Sequence, residues 1–118
     1  MQEILEMAGR LGQNLARTEE YKALKRAIDA SGDDRELAEL QTEMQKLERE
    51  LQSILQNGRE PSEEQTLEYE KLFGRLQSNA SYQRLVTTQT NFDKVVQKVN
   101  ETIHQGIQKG AESRIILT

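Results

Sequence analysis

The sequence predicts an all-α fold: an elongated, dimeric bundle of four to five helices with a long antiparallel helical hairpin at its centre. Three observations lead there. Apolar residues recur at three- and four-residue spacing in every segment from Ile4 to Ile103. The chain has a single Pro and is rich in Glu, Gln, Leu, Lys and Arg, side chains that lose little rotamer freedom on a helix. Aromatic residues make up only 4% of it, so its core is thin and aliphatic, which suits extended bundles and oligomers better than a globule.

The first helix is marked by Ile4, Ala8, Leu11 and Leu15, with Glu3, Glu6, Arg10 and Arg17 falling outside that stripe. Thr18 is placed to cap a second helix. Glu19 and Glu20 sit in its first turn, where the helix dipole favours them, Tyr21, Leu24 and Ile28 form its apolar side, and Ser31-Gly32 ends it. Asp33, followed three residues on by Glu36, reads as a capping box for the third helix. Here Leu37, Leu40, Met44, Leu47, Leu51 and Ile54 keep an unbroken three-four spacing until Asn57-Gly58 supplies a left-handed stop. A helix over 34–56 would be roughly 35 Å long, about the diameter of a compact domain of this size.

The short link at 57–61 makes the third and fourth helices antiparallel neighbours. Ser62 and Gln65 form a second capping box, and Tyr69, Leu72, Phe73 and Leu76 give the fourth helix its buried side. Asn79 and Ser81 both favour a break before the last helix, which carries Tyr82, Leu85, Phe92, Val96, Val99 and Ile103 and is weakened at its end by Gly106 and Gly110. The domain is expected to span residues 1–107. Residues 108–118 form a flexible or docking tail, its Ile115-Ile116-Leu117-Thr118 apolar enough to dock if a groove is offered.

Charge and composition exclude several functions. A net charge of −4 repels phosphate backbones and anionic lipid surfaces, so neither direct nucleic-acid binding nor membrane association is expected. Seven acidic against three basic residues in 33–57 concentrate that charge on the third helix. With no Cys there is no disulfide or thiolate metal site, and the acidic start Met1-Gln-Glu-Ile-Leu-Glu does not resemble a signal peptide, so the cytoplasm is the expected location. No apolar run approaches the ~20 residues of a membrane span.

No chemistry-bearing constellation survives inspection. Glu101-x-x-His104 has the spacing by which one helix of a di-iron bundle offers ligands, but the chain has one His, and both residues lie off the Phe92–Ile103 stripe. A metal is therefore not expected, nor any cofactor. Glu36, Glu43 and Glu50 recur every seven residues beside the Leu seam, as the flank of a helix interface does, rather than converging on a pocket. One His without Cys or a glycine-rich elbow assembles no triad, so an enzyme is the unfavoured class.

Thr18-Glu19-Glu20-Tyr21, Asp33-Asp34, Asn57-Gly58, Pro61-Ser62, Asn79 and a last helix with Phe92, Val96, Val99-Asn100 and Ile103 together resemble, over residues 1–107, the YlbF/YmcA family of small bacterial helical proteins. The resemblance implies a self-associating helical bundle that serves as a regulatory adaptor. Some relatives join a larger complex affecting endoribonuclease-dependent mRNA processing, biofilm formation, competence and sporulation. Certain relatives contribute Cys ligands to iron–sulfur clusters in that complex. This chain has none, a departure that touches the cluster-bearing role and leaves the helix-packing role intact.

The leading expectation is thus a non-enzymatic protein that dimerises, and enters a hetero-complex, through Leu40, Glu43, Met44, Leu47, Glu50 and Leu51 of the third helix and Phe92, Val96, Val99 and Ile103 of the last. The alternative is a helical chaperone or coiled-coil spacer with no specific regulatory partner.

Overall fold

The computed structural model describes the backbone of residues 1–117 and the side chains of residues 1–112. Five helices follow one another: α1 (Gln2–Leu15), α2 (Glu19–Gly32), α3 (Arg35–Gln56), α4 (Glu63–Ser78) and α5 (Ala80–Leu117), with no strand among the described residues. The all-α expectation therefore holds. The docking envisaged for Ile115-Ile116-Leu117-Thr118 concerns side chains that lie outside the described residues.

Local chemistry sets each boundary. Thr18 Oγ1 accepts the Tyr21 N–H at 3.2 Å and opens α2. Before α3 the cap is Asp34, whose carboxylate accepts the Leu37 N–H at 2.9 Å. Asp33 had the better sequence pattern, but the extended backbone that a cap requires falls one residue later. Ser62 and Gln65 close the capping box reciprocally at 3.1 and 2.9 Å and open α4. Gly58 takes φ +72°, and the Arg59 N–H donates to the Ile54 carbonyl at 3.0 Å, so orphan carbonyls at the end of α3 are satisfied by the turn. Asn79 leaves the helical region at ψ 124°, separating α4 from α5.

The chain forms two compact units. One comprises Lys25–Thr87 and contains the hairpin; the other comprises Met1–Leu24 with the chain from Thr88 onward. In the hairpin unit Leu37, Leu40, Met44 and Leu47 of α3 pack with Leu72 and Leu76 of α4, and Leu51, Tyr69 and Tyr82 lie half-buried against them. The antiparallel sense is fixed where the start of α3 meets the end of α4: Asn79 Nδ2 donates to Asp34 Oδ2 at 3.2 Å.

Two stripes differ from expectation in detail. On α2 the buried positions are Leu24 and Ala27, while Ile28 is 49% exposed. On α4, Phe73 stacks on Tyr69 with centroids 6.2 Å apart but stays 41% exposed, leaving Leu72 and Leu76 as the buried pair. Gly106 and Gly110 do not interrupt α5, which runs on to Leu117.

Candidate interaction surface

The hairpin residues expected to meet a partner are divided by the structure. Leu40, Met44 and Leu47 are between 2% and 6% exposed, held within the chain's own core, and Leu51 is half-buried against it. Glu43 and Glu50 stand on the exposed side of α3 with Glu36, one heptad apart along a row. The apolar seam is thus occupied from within, and the acidic row beside it is open.

At the end of the hairpin away from its connecting turn, Asp34 ties three pieces together. It caps α3 and accepts from Asn79, and Asn79 in turn accepts the Tyr82 N–H at 2.9 Å, capping α5. The Leu37 backbone donor first, then the Ser81 hydroxyl, with lesser help from the Asn79 amide and the Glu36 backbone, hold the Asp34 carboxyl below its ordinary range, against the opposing effect of desolvation. Lys71, Arg75 and Ser78 line the open depression beside this joint. Its central groups are already partnered, which makes it a structural fastening.

The other unit is built differently. At 3.6 residues per turn, Met1, Ile4, Leu5, Ala8, Leu11, Gly12 and Leu15 fall on one side of α1. A stripe of that width normally faces a core. Yet α1 has no buried residue at all: Ile4 is 60% exposed, Leu5 62% and Leu11 36%. Opposite it, α5 brings Phe92, Val95, Val96, Val99 and Ile103 to one side. Phe92 meets Tyr21 of α2 edge-on, with centroids 5.2 Å apart. Beyond that contact α5 opens: Ile103 is 49% and Ile107 63% exposed.

Between these helices lies a groove of about 500 Å³ lined by Leu11, Val95, Val99, Thr102 and Ile103, with Glu20 and Lys98 at its rim. Ile4, Leu5, Met7, Leu11, Ile103 and Ile107 together present on the order of 300–400 Å² of apolar surface, taking roughly 100 Å² for a fully exposed aliphatic side chain. That is about the extent of the largest apolar patch on an ordinary monomer, a patch that is often functional.

Of the residues named from sequence for the last helix, the structure brings Phe92, Val96, Val99 and Ile103 together on this unit. Sequence reasoning missed Ile4, Leu5 and Ile107 as open surface. The α1 stripe was legible, but a stripe alone does not say whether anything covers it.

Glu101 and His104 are exposed on α5, and among the described residues no group of three or more His, Asp or Glu gathers as metal ligands would.

This arrangement of caps, hairpin and long last helix can be compared with known proteins. Residues 4–108 match the family described as control of competence regulator ComK, YlbF/YmcA. The chain belongs to the YlbF/YmcA family. Relatives carrying the name UPF0342 protein lie at modest identity. That of Lactobacillus acidophilus is 28% identical over 104 residues, covering 88% of this chain and 90% of the relative. That of Leuconostoc citreum is 25% identical over 100 residues, covering 85% of each. One from Lactobacillus delbrueckii subsp. bulgaricus is 27% identical over 112 residues, covering 95% and 96%. The matched residues 4–108 run from α1 into α5 and so include all or part of each helix. The family's description is that of a regulator. Among the described residues no helix is long and apolar enough to cross a membrane.

Proposed function

We propose that this chain is a non-enzymatic regulatory adaptor of the cytoplasm, working by helix–helix contact with other proteins and, as a YlbF/YmcA protein, within the control of competence and related developmental programmes. The wider setting implied by the family, a complex affecting endoribonuclease-dependent mRNA processing, biofilm formation and sporulation, is part of the same reading. One observation carries it: the apolar side of α1, and the stretch of α5 that bears Ile103 and Ile107, is formed by regular helices yet left uncovered. An isolated helix of 14 residues is marginal in water, so a stripe like that of α1 belongs against a partner. The acidic row of Glu36, Glu43 and Glu50 adds selectivity, favouring a partner with Lys or Arg at facing positions.

The test is capture of partners on the tagged full chain from native lysate, compared with Leu5→Glu. An adaptor recovers one or two proteins in stoichiometric amount and loses them in the variant. Many substoichiometric proteins, retained by the variant, would instead favour the chaperone or spacer reading.

A further inference from the structure

Asn57 is the one asparagine of the chain that is followed by glycine. Both residues of the pair are exposed at the C-terminal end of α3, and the Asn57 side chain takes no hydrogen bond among the described residues. Gly58 has no Cβ to shield its peptide nitrogen, and nothing lies within 4 Å of where one would stand. The pair also occupies a particular place. The heptad step that runs through Glu36, Glu43 and Glu50 arrives next at Asn57, so this amide continues the exposed acidic row of α3 in register. At φ −85° and ψ 8° its backbone is still close to helical, which keeps it on that side.

We propose that Asn57 is a self-modifying site, converted by its own backbone to a carboxylate that lengthens the acidic row by one charge. The Gly58 nitrogen loses its proton to solvent base and attacks Cγ of Asn57, closing a five-membered imide. The side-chain nitrogen takes up a proton and leaves as ammonia. Water then adds to one of the two imide carbonyls: opening the new C–N bond gives aspartate, and opening the original backbone bond gives isoaspartate. The net change is amide and water to acid and ammonia.

The turn sets the pace of this reaction. In the folded chain the Gly58 N–H donates to the Leu55 carbonyl at 3.1 Å and the Arg59 N–H to that of Ile54 at 3.0 Å, so the turn has to open before the ring closes. Helix ends open locally at low free energy, and conversion therefore proceeds from the native protein, more slowly than in a free peptide. The new charge meets the negative end of the α3 dipole, with Arg59 close in sequence to offset it. Its effect on a partner rests on the adaptor reading, in which a further carboxylate strengthens the preference for facing Lys or Arg. The chemistry does not depend on that reading.

The experiment is incubation of the full chain in mildly alkaline buffer at physiological temperature, sampled over days, followed by trypsin, which releases residues Glu50–Arg59 by cutting after Arg49 and Arg59. The expected result is that this peptide gains the mass of one amide-to-acid exchange and separates into an aspartate and an isoaspartate form, the second of which arises only through the ring. Asn57→Gln should leave it unchanged. A peptide from wild type that stays unmodified while the free synthetic peptide of the same sequence converts fully overturns the proposal, and so does an equal mass gain in Asn57→Gln, which would place the reaction at Gln52 or Gln56. Conversion in a chain that captures no partner supports this inference and sinks the adaptor reading alone. A stoichiometric partner captured by a chain that never converts does the reverse.

Discussion

Leu47 and Asp34 show how differently single side chains support this molecule. Leu47 is 3% exposed within a cluster contributed by α3 and α4 of one chain. Leu47→Ala is therefore expected to cost roughly 2–5 kcal/mol in urea unfolding, with sedimentation unchanged; altered association at wild-type stability would mean that the seam faces outward after all. Asp34 acts through hydrogen bonds instead. Its folded pKa is depressed, so the stability it contributes is present above the ordinary carboxylate range of about 3.9 and is lost as pH falls through the lower folded value. Asp34→Ala should be less stable than wild type at pH 7, and the gap should narrow steadily in acid melts below about pH 4. A gap constant down to pH 2 would remove Asp34 from the joint. The sequence shows a cap before the third helix through its Asp33-Asp34 pair. It does not show which carboxylate caps, nor that the winner reaches Asn79, because that bond joins residues 45 apart.

At the scale of the helix, glycines separate what is needed from what is tolerated. Gly58 sits at φ +72° with nothing within 4 Å of an added Cβ, so Gly58→Ala carries only the backbone penalty of the left-handed region, about 1–2 kcal/mol. Gly74 and Gly106 lie inside helices with equally open surroundings. Each, changed to Ala, should stabilise by roughly 0.5–1 kcal/mol. Thermal melts of the three variants check both signs, and a stabilised Gly58→Ala would contradict the turn. The same comparison explains a sequence expectation that stopped short. Gly106 and Gly110 suggested a weakened end to the last helix, whereas α5 continues through both. A glycine lowers helix propensity by about 1 kcal/mol without breaking the hydrogen-bond ladder, and two of them are outweighed by the good helix formers around them. Caps and turns were legible because they depend on residues three or four apart. Ile28 and Phe73 were misjudged because their burial depends on which neighbour arrives.

For the whole molecule, the uneven distribution of core between the two units should be visible in hydrogen exchange. Amides of α3 sit in the better-buried unit and should be the slowest to exchange. Those of α1, which has no buried residue, should exchange much faster. Exchange from α1 as slow as that from α3 would contradict this difference between the units. The elongated hairpin architecture was readable because α3 carries an unbroken seam. The incomplete unit was not, since its two parts come from opposite ends of the chain and periodicity does not report contacts made across that separation.

The assembly of that unit from opposite ends also sets an order of events during synthesis. The Lys25–Thr87 unit is made from contiguous sequence and can close as soon as α4 has emerged, by the short loop closures that make folding fast. α1 precedes this segment in the chain, and its counterpart in α5 follows it. At a translation rate of about 5–20 residues per second, several seconds pass between the making of α1 and that of its counterpart in α5. Among the five helices α1 is thus the one that waits longest for its neighbour in the same unit.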